Sequence, residues 1–179
     1  TLGLNYSNER KNNLDQINNY FEMKLATVLR DKEEKFVPNR STLNRKNSNL
    51  FGSITNDFSE NIEVGYNFSL DNDFNSLEYN EISTTLSNNN IVTKFNFIEE
   101  NGERGDSNIF ATSLEYNNDD KNFFSFKTRR NRKLNLTEFY DLIYEYKNDC
   151  LTAGIKYKKT YYSDGDLKPS QNLLFTITL

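Results

Sequence analysis

The chain has 179 residues, of which 35% are hydrophobic and 27% are charged, and it contains one Cys and no His. The absence of His excludes imidazole catalysis and His-ligated metal sites, and a single thiol excludes thiolate clusters. With a formal net charge of −4, the chain has no net positive electrostatic potential to attract phosphate groups, so we predict no nucleic-acid partner.

The aromatic content indicates a folded chain. Tyr and Phe supply the whole aromatic fraction of 14%, whereas disordered segments contain few aromatic residues. No apolar run approaches the roughly 18 residues of a membrane helix, but this excludes helical spans only, because membrane β-strands need about 9 to 11 residues of alternating character. The chain begins at Thr1 without Met or a targeting segment, so we expect a piece of a longer protein.

Apolar and polar residues alternate with a period of two, which predicts β-strands. In the stretch NIEVGYNFSLD, one strand face is formed by Ile62, Val64, Tyr66, Phe68 and Leu70. In chain order, the predicted strands cover residues 1–7, 21–29, 50–57, 62–70, 77–87, 91–97, 110–116, 122–129, 140–146, 151–157 and 171–179. The segment 14–29 also fits a helix.

Short and long connections alternate along the chain. The predicted short turns are Ser59-Glu60, Asn88-Asn89, Asn118-Asp119 and Asn148-Asp149, since Asn and Asp tolerate the left-handed conformations of tight hairpins. The predicted long connections are 30–49, 99–108, 130–136 and 161–170, with a shorter one at 71–76. This asymmetry is typical of outer-membrane barrels, and a soluble sandwich has no reason to keep it.

The turn positions predict the pairing of side chains across two hairpins. A two-residue turn at Asn148-Asp149 places Asp141 opposite Lys156, an ion pair worth a few tenths to about 1 kcal/mol. The apolar pairs that follow from this register are Tyr146–Leu151, Tyr144–Ala153, Leu142–Ile155 and Tyr140–Tyr157. In the same way, the turn at Asn88-Asn89 pairs Leu86 with Ile91.

Two charged clusters have competing interpretations. The acidic residues Glu99, Glu100, Glu103 and Asp106 fit a solvated loop best, with Ca²⁺ or lipid-phosphate bridging as the alternative. The basic residues are Lys127, Arg129, Arg130, Arg132 and Lys133. They fit either a solvated loop or contacts to the phosphates of anionic lipid head groups at the outer rim, because guanidinium binds phosphate well.

Cys150 follows the predicted Asn148-Asp149 turn and shares the polar strand face with Thr152, Gly154 and Lys156. A free Cys is usually a small buried hydrophobe, and a polar position at a strand end fits that role poorly. In an oxidising compartment, an unpaired Cys suggests a partner outside the segment.

Three stretches carry a resemblance to a known family: VPNRSTLNRKNSNLFGSI (37–54), VGYNFSLDND (64–73) and LTEFYDLIYEYKNDCLTAGIKYKKTYYSDGDLKPSQNLLFTITL (136–179). They resemble the C-terminal barrel region of the LptD family, the lipopolysaccharide (LPS) assembly or organic solvent tolerance proteins. The resemblance covers 37–179 and is most specific in the last third. It implies that 1–179 is a single segment of a larger barrel, without the N-terminal jellyroll and the first barrel strands.

The resemblance implies a role in bacterial outer-membrane biogenesis. The family forms a large transmembrane β-barrel that receives LPS from the periplasmic bridge protein LptA and releases it into the outer leaflet through a lateral seam. The lipoprotein LptE plugs the lumen, and no reaction is catalysed. We therefore expect no catalytic, cofactor-binding or metal-binding residues.

The resemblance also implies roles for particular residues. Cys150 matches a family cysteine that forms a disulfide with the N-terminal region. Some relatives carry two adjacent cysteines, whereas this chain has Asp149-Cys150. The final strand, which forms one lip of the lateral gate, corresponds to Leu173, Phe175, Ile177 and Leu179.

The resulting prediction is an all-β, antiparallel transmembrane barrel fragment of about ten strands, forming a curved open sheet or partial barrel. Its apolar faces contact lipid and its polar faces line a wide lumen. The alternatives are another outer-membrane barrel, such as a porin or transporter, and a soluble β-sandwich binding module. An outer-membrane enzyme ranks last, since no catalytic set emerges.

Overall fold

The computed structural model describes residues 1–11, 17–102, 105–118, 121–161 and 168–178. These residues form one open antiparallel sheet of eleven strands in chain order, where about ten were predicted. The strands are β1 (Leu2–Lys11), β2 (Ile17–Thr27), β3 (Leu50–Ser59), β4 (Ile62–Leu70), β5 (Leu77–Asn88), β6 (Ile91–Glu100), β7 (Ser107–Asn118), β8 (Asn122–Asn131), β9 (Leu136–Lys147), β10 (Thr152–Thr160) and β11 (Ser170–Thr178). The all-β prediction is confirmed.

The strands are long, and helix is nearly absent from the described ranges. Individual strands contain between 9 residues, as in β4, and 12 residues, as in β5, whereas strands of globular proteins most often contain about 5 to 6. The helical element described in full is a 3₁₀ turn at Asn39–Ser41. No described helix has the length and apolar character needed to cross a membrane. Segment 17–27, which also fitted a helix, is strand β2.

Residues Thr1–Thr84 and Phe97–Asn108 form one compact unit. Within it, the pairings of β1 to β4 bring apolar residues together on one face: Leu4 lies opposite Leu25, Met23 opposite Ile54, and Ile54 opposite Tyr66. The ring of Phe68 lies against Gly52, where an added Cβ would come within 2.1 Å of the ring. Any side chain at position 52 would require the Phe68 ring to move, so Gly52 is what lets this ring lie directly against β3.

Residues Thr85–Asn96 and Ile109–Leu179 form the second compact unit. Here the register of β7 to β11 aligns one continuous row of apolar side chains across five adjacent strands. In strand order, the row consists of Leu114, Phe126, Leu142, Tyr157 and Leu173. The predicted strand faces are therefore correct in this unit.

The short turns lie near their predicted positions, but not at them. The β3–β4 turn is Glu60-Asn61 instead of Ser59-Glu60, and the β5–β6 turn is Asn89-Asn90 instead of Asn88-Asn89. Asn89 has a left-handed φ of 45°, which Asn tolerates better than most residues. The later turn makes the predicted pairing of Leu86 with Ile91 wrong. Strand β7 continues through Asn118 and Asp119 lies outside the described residues, so the predicted Asn118-Asp119 turn is not described in full.

The β9–β10 register differs from its prediction by two residues. Ala153 lies opposite Tyr146 and Ile155 opposite Tyr144, so the pairs Tyr146–Leu151, Tyr144–Ala153, Leu142–Ile155 and Tyr140–Tyr157 are wrong. The connection contains four residues, because the Asn148 side-chain oxygen accepts hydrogen bonds from the backbone N–H groups of Cys150 (3.0 Å) and Leu151 (2.8 Å). A shift of two keeps each residue on its face.

The longer connections are only partly as predicted. The connection between β2 and β3 covers residues 28–49 and is the longest in the described part of the chain. The predicted connection at 130–136 shrinks to four residues, 132–135, because β8 continues to Asn131 and β9 begins at Leu136. The connection after β6 covers 101–106 instead of 99–108.

Candidate functional site

Water-soluble proteins bury apolar side chains and expose polar ones, and this sheet shows the opposite distribution. In the described residues, the only hydrophobic side chain classed as buried is Ile109, at 9% exposure. The largest fully buried side chains are polar, namely Asn49, Thr42, Ser69 and Ser125. The sheet thus buries polar groups and leaves its apolar residues uncovered.

Within each unit, exposed apolar residues recur on one strand face, and Leu174 is an exception on the opposite face of β11. In the first unit they include Leu2, Leu4, Tyr6, Ile62 and Ile82. In the second unit they include Leu86, Ile91, Phe95, Phe110, Tyr116, Tyr140, Tyr144, Ile155, Leu173, Phe175 and Ile177. Continuous exposed apolar surface of this kind marks a membrane, protein or ligand contact, since soluble monomers rarely expose large apolar patches.

A buried polar cluster anchors the connection 28–49 to the sheet in the first unit. The Asn49 amide donates hydrogen bonds to the Glu78 carboxylate (2.6 Å) and to the Ser69 hydroxyl (3.1 Å). The backbone N–H of Asn49 donates to the Thr42 hydroxyl at 3.3 Å. Glu78 is only 7% exposed, and buried carboxylates require such donors because desolvation is costly. The cluster therefore fixes the start of β3 against β4 and β5.

Opposite charges alternate along the polar face of β7 to β10. The Lys127 ammonium lies 3.1 Å from the Glu115 carboxylate, and the Lys156 ammonium lies 3.7 Å from the Asp141 carboxylate. The predicted Asp141–Lys156 contact is diagonal, since Lys156 lies directly opposite Ile143. Partly exposed pairs such as these contribute about 0 to 1 kcal/mol each, so their main effect is a hydrophilic surface of balanced charge.

The predicted basic cluster is distributed over both faces of β8 and the following turn. Lys127 and Arg129 lie on the polar face, where Arg129 is paired with Glu138 at 2.9 Å. Arg130 lies on the apolar face opposite Phe110. Arg132 and Lys133 belong to the turn 132–135. The solvated-loop interpretation therefore fits only Arg132 and Lys133, because the other three residues lie in β8 and strand alternation sends neighbours to opposite sides. Contact of the basic residues with lipid phosphates stays a prediction.

Cys150 is exposed in the connection between β9 and β10. It precedes β10, which begins at Thr152, so the prediction that it shares a strand face with Thr152, Gly154 and Lys156 is wrong. The Asn148 side chain fixes the backbone of this turn. Cys150 therefore lies exposed at the short-turn end of the hairpin.

Strand β11 pairs with β10 through one edge, and no other described strand pairs with its second edge. Leu173, Phe175 and Ile177 share its apolar face, and the exposed fractions of Phe175 and Ile177 are 68% and 72%. Leu179, the fourth residue predicted for the gate strand, lies outside the described residues. The strand thus offers both unpaired backbone groups and apolar side chains.

The acidic residues near the β6–β7 connection belong partly to strand β6. The Glu99 carboxylate accepts hydrogen bonds from the amides of Asn80 (2.9 Å) and Asn108 (3.3 Å). Glu100 accepts one from the Ser107 hydroxyl at 2.9 Å, and Glu103 lies outside the described residues. In the part of the chain that the structure describes, no group of three or more acidic, Cys or His residues is arranged to hold a metal ion.

Two side-chain contacts in the structure were not predicted from the sequence. The Asn49–Glu78 contact joins residues 29 positions apart, so no local pattern signals it. The second contact is at the end of β10, where the Lys159 ammonium lies 4.7 Å from the ring centroid of Tyr161, the first residue after the strand. The i, i+2 spacing of these two residues was the only sequence signal for the contact, and it depends on the strand geometry continuing to its last residue.

A comparison with models of known protein families found no family that matches the chain, and a comparison with curated proteins found no match.

Proposed function

We propose that this chain is a segment of an outer-membrane β-barrel that inserts LPS into the outer leaflet. The observation that supports a membrane sheet is the reversed burial, with polar residues such as Asn49 and Ser125 buried and apolar residues such as Phe175 exposed. Strands of 9 to 12 residues also support it, because about 9 to 11 tilted residues cross the hydrocarbon layer. The assignment to LPS insertion derives from the resemblance to the LptD family.

In this proposal, the apolar face contacts lipid and the charged face of β7 to β10 lines the lumen, which the lipoprotein LptE plugs. LPS arrives from the periplasmic bridge protein LptA through an N-terminal jellyroll and leaves the barrel at β11. An edge that is not fully paired suits this exit, since a closed barrel has no opening for a lipid. The short-turn end, with Cys150, faces the periplasm. The segment catalyses no reaction.

Replacing Cys150 tests the proposed role in LPS assembly. We expect Cys150→Ser in the full-length protein to abolish a mobility difference between non-reducing and reducing electrophoresis, and to lower LPS display at the cell surface several-fold. The physical reason is that the exposed thiol would anchor the barrel to a periplasmic partner segment through a disulfide. The measurements are the two gels and surface LPS staining of the same cells.

Two further variants in the same turn serve as controls. Asp149→Ser keeps the thiol and should retain the mobility difference and normal display. Moving the thiol by one position, with Asp149→Cys in the Cys150→Ser background, should restore both in part. An unlinked Cys150 together with normal LPS display of Cys150→Ser cells would contradict the proposal and favour a porin or transporter.

A further inference from the structure

A small group of cationic and aromatic residues lies on the apolar face of the second unit. Arg130 on β8 lies opposite Phe110, and Lys159 on β10 lies opposite Tyr140. The Lys159 ammonium is 4.7 Å from the ring centroid of Tyr161. The rings of Tyr140 and Tyr161 are 5.9 Å apart in an edge contact. The two cations are thus placed among aromatic rings on the face that otherwise carries apolar residues.

Both cations lie one residue before the end of their strands. Arg130 is the penultimate residue of β8, and Lys159 is the penultimate residue of β10. Both strands are antiparallel to β9, so both residues lie at the same end of the sheet, next to the connections 132–135 and 161–169. A charge on the lipid side is far more costly at the bilayer midplane than near the bilayer surface. The sheet therefore places its outward cations where head groups lie.

The spacing suits one ligand held by both side chains. Neighbouring strands are about 4.8 Å apart and residues rise about 3.3 Å along a strand, so the two Cα atoms are separated by about 12 Å. Arg and Lys side chains are each long enough to reach a phosphate placed between two such positions. On the β7 side of Arg130, an open cavity of about 510 Å³ is lined by Phe110, Arg130, Arg132 and Asn135, and it supplies space for a ligand of Arg130 without contacting Lys159. The Asn135 side-chain oxygen accepts a hydrogen bond from the Arg130 guanidinium, which orients it.

We propose that Arg130 and Lys159 form a binding site for the phosphate of an anionic lipid head group on the outward face of the barrel. This inference rests on the proposed membrane function, and it differs from the cluster predicted from the sequence. Lys127 and Arg129 are excluded, because they lie on the polar face in ion pairs with Glu115 and Glu138. Arg supplies two parallel donors to phosphate oxygens, and Tyr rings provide the amphipathic boundary of a membrane surface.

The test compares two matched double variants of the full-length protein in vesicles of phosphatidylcholine with or without phosphatidic acid. Arg130→Gln with Lys159→Gln removes the proposed site. Arg129→Gln with Lys158→Gln removes the same charges from the adjacent positions, which face the other way. We expect co-purified phosphatidic acid, measured by mass spectrometry, to fall about tenfold in the first variant and less than twofold in the second, since each charged phosphate contact is strong.

Two outcomes would overturn the site. Equal losses in both double variants would indicate attraction by net charge alone, and displacement of phosphatidic acid by an equal concentration of inorganic phosphate would indicate a site for free phosphate. Heat-dependent electrophoretic migration of the same samples reports membrane assembly independently. An unmodified protein that fails to assemble would refute the proposed membrane function, whereas normal assembly without the tenfold loss would refute only this site.

Discussion

Introducing a charge at Leu142 is expected to prevent stable membrane assembly. Leu142 occupies the middle of β9 on the apolar face, between Phe126 and Tyr157 on the neighbouring strands. If this face contacts lipid, Leu142→Arg places a guanidinium near the bilayer midplane, at a cost of about 2 to 4 kcal/mol. The fraction of heat-modifiable, membrane-inserted protein should fall at least tenfold, because about 1.4 kcal/mol corresponds to each factor of ten.

Ile143→Arg is the matched control for this prediction. It removes a side chain of the same size from the adjacent position, but Ile143 lies on the polar face opposite Lys156. The added guanidinium faces the Lys156 ammonium, and the nearby Asp141 carboxylate partly offsets this like-charge pair, so the expected cost is at most about 1 kcal/mol. Equal assembly of the two Arg variants would show that the faces do not differ in their contact with lipid.

Replacing Asn49 by Leu is expected to lower the free energy of unfolding by about 2 to 4 kcal/mol, because it leaves the buried Glu78 carboxylate without its 2.6 Å amide donor. Urea unfolding of the detergent-refolded protein, followed by the loss of heat-dependent migration, measures the change. The large effect reflects the complete burial of Asn49 and the 7% exposure of Glu78.

Two comparisons separate the lost contact from a general packing defect. Replacing both partners, with Asn49→Leu and Glu78→Leu, should recover at least half of the lost stability, since the buried carboxylate is removed and only the Ser69 hydroxyl loses its donor. Asn67→Leu disrupts a similar amide–carboxylate contact, at 3.0 Å to Glu81, in a less buried position and should cost about 1 kcal/mol. A cost for Asn49→Leu no larger than that for Asn67→Leu would contradict the importance of the cluster.

The faces of the sheet were predictable because they depend only on the parity of the residue number. The alternation of Tyr140, Leu142 and Tyr144 requires neither a turn type nor a partner strand, and an error of two residues in register leaves it unchanged. For the same reason, Asp141 and Lys156 come within 3.7 Å in spite of the shifted register. Periodicity therefore specifies which side a residue occupies before pairing is known.

The β9–β10 register and the buried Asn49–Glu78 cluster were less predictable from the sequence than the strand faces. The length of the β9–β10 turn depends on two side-chain hydrogen bonds of Asn148. The free energies of this four-residue turn and of a tighter two-residue turn differ little, so the sequence does not specify which one forms. The location of Arg129 and Arg130 depends on where β8 ends, and strand ends are weakly encoded in polar sequence. The Asn49–Glu78 contact depends on the path of the long connection 28–49, which has no periodic pattern.

The central claim, that the apolar face contacts lipid, is tested most directly by scanning β9 with single cysteines. Each residue from Tyr140 to Tyr146 is replaced by Cys in the full-length protein without its native cysteines, and a fluorescent label is attached after assembly in vesicles. We expect lipid-bound quenchers to act on labels at 140, 142, 144 and 146, and a water-soluble quencher to act on labels at 141, 143 and 145. Equal quenching at even and odd positions, or water-soluble quenching at the even ones, would contradict the membrane assignment.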